Sequence, residues 1–218
     1  MSSDSTGPQS DYASSHVELL ELRGTRPKER ADAARNRAAV LDAAAELFGR
    51  YGVENVSMDA VAAKAAVGKG TVFRRFGDKA GLAAALLDDR ERALQDAILF
   101  GAAPLGPAGK AGAPSPRERL TAFVAAYLDY VLSHLDLVRM SETASPGARY
   151  RIGAYRFWHR HVALLISAAR PDYDADALAH ALLASLSAEH LHAVVAEQGA
   201  ERVRRATVAV ASAIVDGA

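Results

Sequence analysis

Lys69, Arg74, Arg75 and Lys79 gather four cations into residues 69–79, with Gly68, Gly70 and Gly77 beside them. Such a segment suits the gripping of a polyanion. Ammonium and guanidinium groups neutralise phosphates, and glycines let backbone N–H groups approach them. The 218-residue chain is formally neutral, so what matters is where the charge lies. Residues 26–79 hold 11 Lys and Arg against 7 Asp and Glu, whereas the remainder holds 15 against 19. A basic segment on a mildly acidic body implies a polyanionic partner for one end only.

Other chemistries find little footing. With no cysteine there is no disulfide, thiolate nucleophile or cysteine zinc site. Neither a G-x-S-x-G elbow nor a phosphate loop occurs, so no catalytic residue is expected. Glu189 and His192 form a Glu-x-x-His pair, one component of a di-iron helical bundle. A metal-dependent oxidase of that kind needs a second copy and two further inward glutamates, and the C-terminal half has no second copy. His190 and His192, two residues apart, project from different faces of a helix. No metal site and no cofactor are therefore expected. Besides the oxidase, the alternative to a polyanion binder is a helical ligand-binding protein with no DNA function.

The elements that must position the basic segment read as helices throughout. Alanine is abundant, while the β-branched and aromatic runs that strands favour are scarce. Residues 1–30 are polar, rich in Ser, Gly and Pro, and read as a disordered arm ending in RGTRPKER. From Asp32 to Tyr51, Val40, Leu41, Ala44, Leu47, Phe48 and Tyr51 recur at three- and four-residue steps, the pattern of an amphipathic helix. Ser57 caps a second helix through Met58, Val61, Ala62 and Ala65, with Asp59 in its first turn. A third runs over 68–76, and Asp78 caps a fourth, long helix through Leu99. Residues 101–117 hold four of the sixteen glycines and four of the eight prolines, the clearest break in the chain. Ser115, Pro116 and Glu118 then supply the parts of a capping box. Further helices are expected over 116–134, 135–143, 147–169, 174–197 and 200–215, about nine in all.

Three short helices with a tight connection at 65–68 describe a helix-turn-helix, whose second helix enters the DNA major groove. Wound at about 100° per residue, Val72, Phe76 and, less fully, Phe73 fall on one side to pack inward. Thr71, Arg74 and Arg75 fall on the other. Gly68 and Gly70 keep the helix start free of bulk.

These residues carry a family resemblance. VLDAAAELFGRYGVENVSMDAVA, AAVGKGTVFRRF, GDK and the long helix after them, about residues 35–94, resemble the TetR-type (tetracycline-repressor-like) transcriptional regulators. The family pattern is an alanine-rich helix, LF, G, a Ser/Thr cap, then A-G-V-x-x-G-T-[LV]-[YF]-x-x-F-x-x-K. The resemblance implies that Ser57 and Met58 begin a helix touching the DNA backbone, and that Lys69, Gly70 and Thr71 face base edges or phosphates. Phe73 stands where the family usually has a phosphate-binding tyrosine, and without a hydroxyl it loses that contact. Arg74 and Arg75 replace more usual aromatic and imidazole groups, and either can pair with guanine or with phosphate. Lys79 corresponds to the usual phosphate-facing lysine.

For the rest of the chain the resemblance implies architecture: an all-α protein with a helix-turn-helix domain over 31–94 (motif about 57–76) and a helical regulatory and dimerisation domain over 95–218. Phe123, Tyr127, Tyr130, His134, Met140, Tyr155, Trp158 and His161 mix bulky and polar groups on apolar faces of that domain. They are the candidates for a pocket holding a small-molecule inducer. The helices at 174–197 and 200–215 are rich in small residues and apolar over wide faces, and a monomer would struggle to cover them. They are the expected homodimer interface. The partners expected are double-stranded operator DNA, a second copy and an inducer, in a cytoplasmic, non-enzymatic repressor. No run approaches the length of a membrane span, so no membrane partner is expected.

Overall fold

The computed structural model describes residues 27–107 and 112–216. Every regular element among them is a helix: α1 (Pro27–Tyr51), α2 (Met58–Lys64), α3 (Lys69–Phe76), α4 (Lys79–Phe100), α5 (Pro116–Ser133), α6 (Leu135–Glu142), α7 (Ala148–Arg151), α8 (Gly153–Ala169), α9 (Ala175–Ala184), α10 (Ala188–Gln198) and α11 (Ala200–Asp216). No single one of them is long and apolar enough to cross a membrane. The basic arm expected over 1–30 lies outside the described residues as far as residue 26, and from Pro27 the chain is already helical.

Local chemistry starts these helices. The Ser57 hydroxyl accepts from the Ala60 N–H at 3.1 Å, and the Asp78 carboxylate accepts from Gly81 N–H at 2.8 Å. Ser115 and Glu118 close both halves of a capping box with Pro116 at the first turn of α5. Each satisfies N–H groups that a helix start leaves unpaired.

Two expected helices are broken. Residues 147–169 divide at Ile152, which is extended (φ −66°, ψ 130°) between α7 and α8. The buried Arg149 side chain, donating to the Leu183 carbonyl at 2.8 Å, draws α7 inward off the line of α8. Residues 174–197 divide at 185–187, because Leu186 is driven fully into the core and Ser187 caps a new helix. Two more helices result than expected.

Burial separates two cores. The first joins Val40, Ala44, Phe48, Val61, Val72, Phe76 and Leu82 of α1–α4. The second runs from Leu87 of α4 through α5, α8 and α9 to Val215 of α11. Helix α4 therefore belongs to both, and the divide falls between Leu82 and Leu87. Leu137 and Met140 of α6 reach across to pack on the first core, so α6 touches both halves.

Candidate nucleic-acid interface

Helix α3 is held by two buried side chains, has Thr71 half-buried, and is open on the rest of its surface. Val72 and Phe76 are buried in the first core, while Phe73, Arg74 and Arg75 are exposed. Phe73, expected to share in the packing, is instead 46 % exposed. It lies on the outer side with the two arginines, a half-exposed apolar ring. A Cβ added at Gly68 or Gly70 would meet nothing within 4 Å. Packing does not require glycine at either position, and the bare helix start leaves its unpaired N–H groups open to approach. The C-terminal end of α3 is fixed tightly. Gly77 turns the chain at φ 75°, and a Cβ on Gly81 would lie 1.9 Å from the Phe76 carbonyl oxygen, so the first turn of α4 presses against the end of α3.

The cations divide between outward and inward duties. Lys69 pairs with Asp59 of α2, both half or more exposed. Arg75 reaches back to the Ala33 carbonyl of α1 at 3.4 Å. Lys79, expected to face a phosphate, donates to the carbonyls of Val53 and Glu54, both at 3.0 Å. It thus ties the start of α4 to the α1–α2 turn and has one N–H left for another acceptor. The Met58 side chain is buried, so only its backbone can face a ligand, whereas Ser57 is exposed and its own O–H remains a donor. The connection between α2 and α3 turns at Ala66, which has φ 53° and stands at the glycine of the family pattern.

Comparison with known proteins agrees with this geometry. Residues 40–86 match the family described as "Bacterial regulatory proteins, tetR family". The N-terminal domain is of the TetR type. An HTH-type transcriptional regulator of Staphylococcus aureus (strain USA300) is 43 % identical over 53 residues, 24 % of this chain and 29 % of that regulator's length. The curated relative is therefore matched over less than a third of its length. In fold the likeness extends through both halves. A TetR-family protein from Rhodococcus sp. superposes with TM-score 0.57 at 19 % identity, over 84 % of this chain and 99 % of its own. A protein from Saccharomonospora viridis described as a transcriptional regulator, crystallised in complex with choline, gives 0.56 at 22 % identity, over 80 % of this chain and 94 % of its own.

Behind the TetR-type domain, four of the residues singled out for a pocket converge. Tyr127, Tyr130, Tyr155 and Trp158 line one cavity with Glu91, Ser141, Glu142 and Arg149. Its free volume, about 20 Å³, takes a water molecule and no larger guest as the side chains stand. Phe123 lies behind these rings, 5.7 Å from Tyr127 and 6.1 Å from Trp158 between centroids. His134 stacks on Tyr130 and faces a separate groove beside Phe48. Met140 packs toward the TetR-type domain. His161 packs its ring edge against Phe123, and its Nε2 is buried without a hydrogen-bond partner among the described residues. Burial, with Arg119 nearby, pushes its pKa down to about 4.

The charged members of this cavity could not be singled out from sequence. Glu142 and Arg149 form a buried ion pair at 3.0 Å, and Glu142 also accepts the Ala188 N–H at the start of α10 at 2.8 Å. Burial raises the Glu142 pKa despite Arg149. Tyr130 donates to Glu91 at 2.9 Å, and there too burial outweighs the hydrogen bond and raises the carboxyl. Glu142 and Arg149 sit near helix ends with no motif around them. A third grouping, His159, Asp176 and His180, was also missed, while Glu189 and His192 of the Glu-x-x-His pair are exposed and lie outside it.

Proposed function

We propose that this protein is a DNA-binding transcriptional regulator, a homodimeric repressor released from its operator by a small molecule. The observation that carries the DNA-binding reading is the outer face of α3. A Cβ at Gly68 or Gly70 would meet nothing within 4 Å, and Phe73 and Arg74 are exposed beside them, so this face is open to a partner outside the chain. A single such helix covers little DNA, so two half-sites read by a dimer supply the affinity. The outward face of α11 suits that assembly: Ala206, Ala209, Val210 and Ala213 are exposed, and Val210 is 52 % so. The partner copy covers the 174–197 and 200–215 segments, which the fold divides into α9, α10 and α11. The regulator acts in the cytoplasm, where its DNA is.

For ligand control, α6 is the mechanical link. Val138, Ser141 and Glu142 face the cavity, whereas Leu137 and Met140 pack on the TetR-type core and Arg139 reaches Glu54 at 3.5 Å. A guest larger than water displaces α6, and with it the TetR-type domain that α6 braces, shifting the population away from the DNA-matched spacing. Four aromatic rings with two carboxylates against one guanidinium suit a small organic cation. The choline complex of the Saccharomonospora viridis protein makes choline a sensible first probe.

Binding to DNA from upstream of the protein's own gene, measured across salt, tests the reading. Arg74→Ala is expected to cost about 1–3 kcal/mol with relaxed preference at one base pair if it reads guanine. A uniform loss with the salt slope reduced by about one assigns it to phosphate. Unchanged affinity in the Arg74→Ala/Arg75→Ala double variant would remove α3 as the recognition helix.

A further inference from the structure

We propose that His159, Asp176 and His180 bind a divalent transition-metal ion, of the zinc class, on the outer surface where α8 and α9 lie side by side. One nitrogen from each histidine and one carboxylate oxygen lie within 4.8 Å of one another. Asp176 and His180 are one turn apart on α9, so they share a face, and His159 of α8 meets them from across the helix pair. The His159 and His180 rings stack at 3.9 Å between centroids, and His159 Nε2 lies 3.5 Å from an Asp176 carboxylate oxygen. Metal–ligand bonds of about 2.0–2.1 Å in a tetrahedron put ligand atoms roughly 3.4 Å apart. Asp176 is exposed and its carboxylate is free to turn through the small remaining distance toward the two rings.

A second observation orients the site. Tyr155, buried at 6 % exposure, places its hydroxyl 2.7 Å from His180 Nδ1 and stacks its ring on both imidazoles. With Nδ1 engaged, Nε2 is the nitrogen His180 presents to an ion, and the ring is held in one orientation. Outer partners of this kind tune ligating histidines. Two imidazoles and one carboxylate favour zinc, nickel, cobalt or copper over calcium and magnesium, which take oxygen ligands. Three protein ligands leave a fourth position for water, as in open zinc sites. The site does not depend on the DNA-binding reading, but Tyr155 belongs to both the site and the cavity, and the Arg149 guanidinium lies 5.4 Å from its ring. Fixing His180 therefore fixes one cavity wall.

Calorimetric titration of the full chain with Zn²⁺ tests this, with Co²⁺ as a spectroscopic probe and Mg²⁺ as a control. One Zn²⁺ per chain is expected, with a visible Co²⁺ band of tetrahedral type and no Mg²⁺ binding. Asp176→Asn and His180→Gln, both at exposed positions, should each weaken Zn²⁺ at least tenfold while leaving the helical circular dichroism unchanged. Tyr155→Phe should weaken it about 10- to 100-fold with the ligands intact. Absence of saturable Zn²⁺ binding overturns the proposal. So does binding that survives in His159→Ala/His180→Gln but is lost in His190→Ala/His192→Ala, since the ion would then sit on α10.

Discussion

The two cores of this protein treat charge in opposite ways. In the TetR-type half, Lys69, Arg74 and Arg75 are exposed, and the interior is Val, Ala, Phe and Leu with few polar atoms. In the C-terminal half, an arginine and a glutamate are buried together, a second glutamate is half-buried against a tyrosine hydroxyl, and a buried histidine nitrogen has no partner among the described residues. The first arrangement costs little to fold and leaves its charge at the surface. The second is stable only while every buried charge keeps its counterpart, and so can respond to whatever disturbs one.

The sharpest way to break the contrast is to remove one member of the buried pair. Glu142→Ala leaves the Arg149 guanidinium uncompensated and also orphans the Ala188 N–H. Denaturant unfolding should show a loss of about 3–5 kcal/mol. Replacing both partners, as Glu142→Leu/Arg149→Met, should recover most of it, because two apolar groups need no partner. A Glu142→Ala cost below about 1 kcal/mol would mean that the C-terminal core does not depend on its charges.

Histidine 161 probes the same core through pH. Its folded pKa lies near 4, below the ordinary 6.5, because burial disfavours the charged ring. The neutral form is therefore bound into the fold. Its contribution is complete above pH 6.5 and is lost as pH falls toward 4, because the unfolded chain takes up the proton first. The difference amounts to at most about 3 kcal/mol. His161→Phe, stacking against Phe123, should flatten that acid-side decline while stability at neutral pH holds or rises. A decline of equal size in the variant would assign the pH dependence to other groups.

Legibility from sequence follows the same divide. The caps at Ser57, Asp78 and Ser115 and the three-and-four spacing of Val40, Ala44 and Phe48 are local signals, and the structure has them where the sequence put them. The four aromatic rings of the cavity were also visible as bulky residues on amphipathic faces. The Glu142–Arg149 pair and the His159–Asp176–His180 grouping were not, because their members come from separate helices and meet only through packing. The Asp176–His180 spacing was a readable hint, but its third member comes from another helix. The breaks at Ile152 and Leu186 escaped for a related reason: a buried arginine and a buried leucine override helix propensity.

A smaller test lies in the turn of the TetR-type half. Ala66 is the one non-glycine residue among those described with positive φ, at 53°. That conformation costs an alanine about 1–2 kcal/mol, part of which glycine returns through its greater freedom when unfolded. Ala66→Gly should therefore stabilise the protein by roughly 0.5–1 kcal/mol in thermal or chemical unfolding, with no loss of DNA affinity. Destabilisation would mean that the alanine methyl packs in a way that outweighs the strain.

The least effect on stability, and the most informative about the interface, is expected from Asp59→Asn. Asp59 and Lys69 are exposed partners, and such pairs contribute under about 1 kcal/mol. Unfolding should barely move, in contrast to Glu142→Ala. DNA binding should move, because the Asp59 carboxylate both occupies Lys69 and repels any phosphate brought to the start of α3. Neutralising it frees the ammonium, so affinity rises and the salt slope steepens by about one phosphate contact. If the variant bound DNA no more tightly while Arg74→Ala weakened binding, Lys69 would belong to the scaffold, like Lys79, and the outward cations of α3 would reduce to its two arginines.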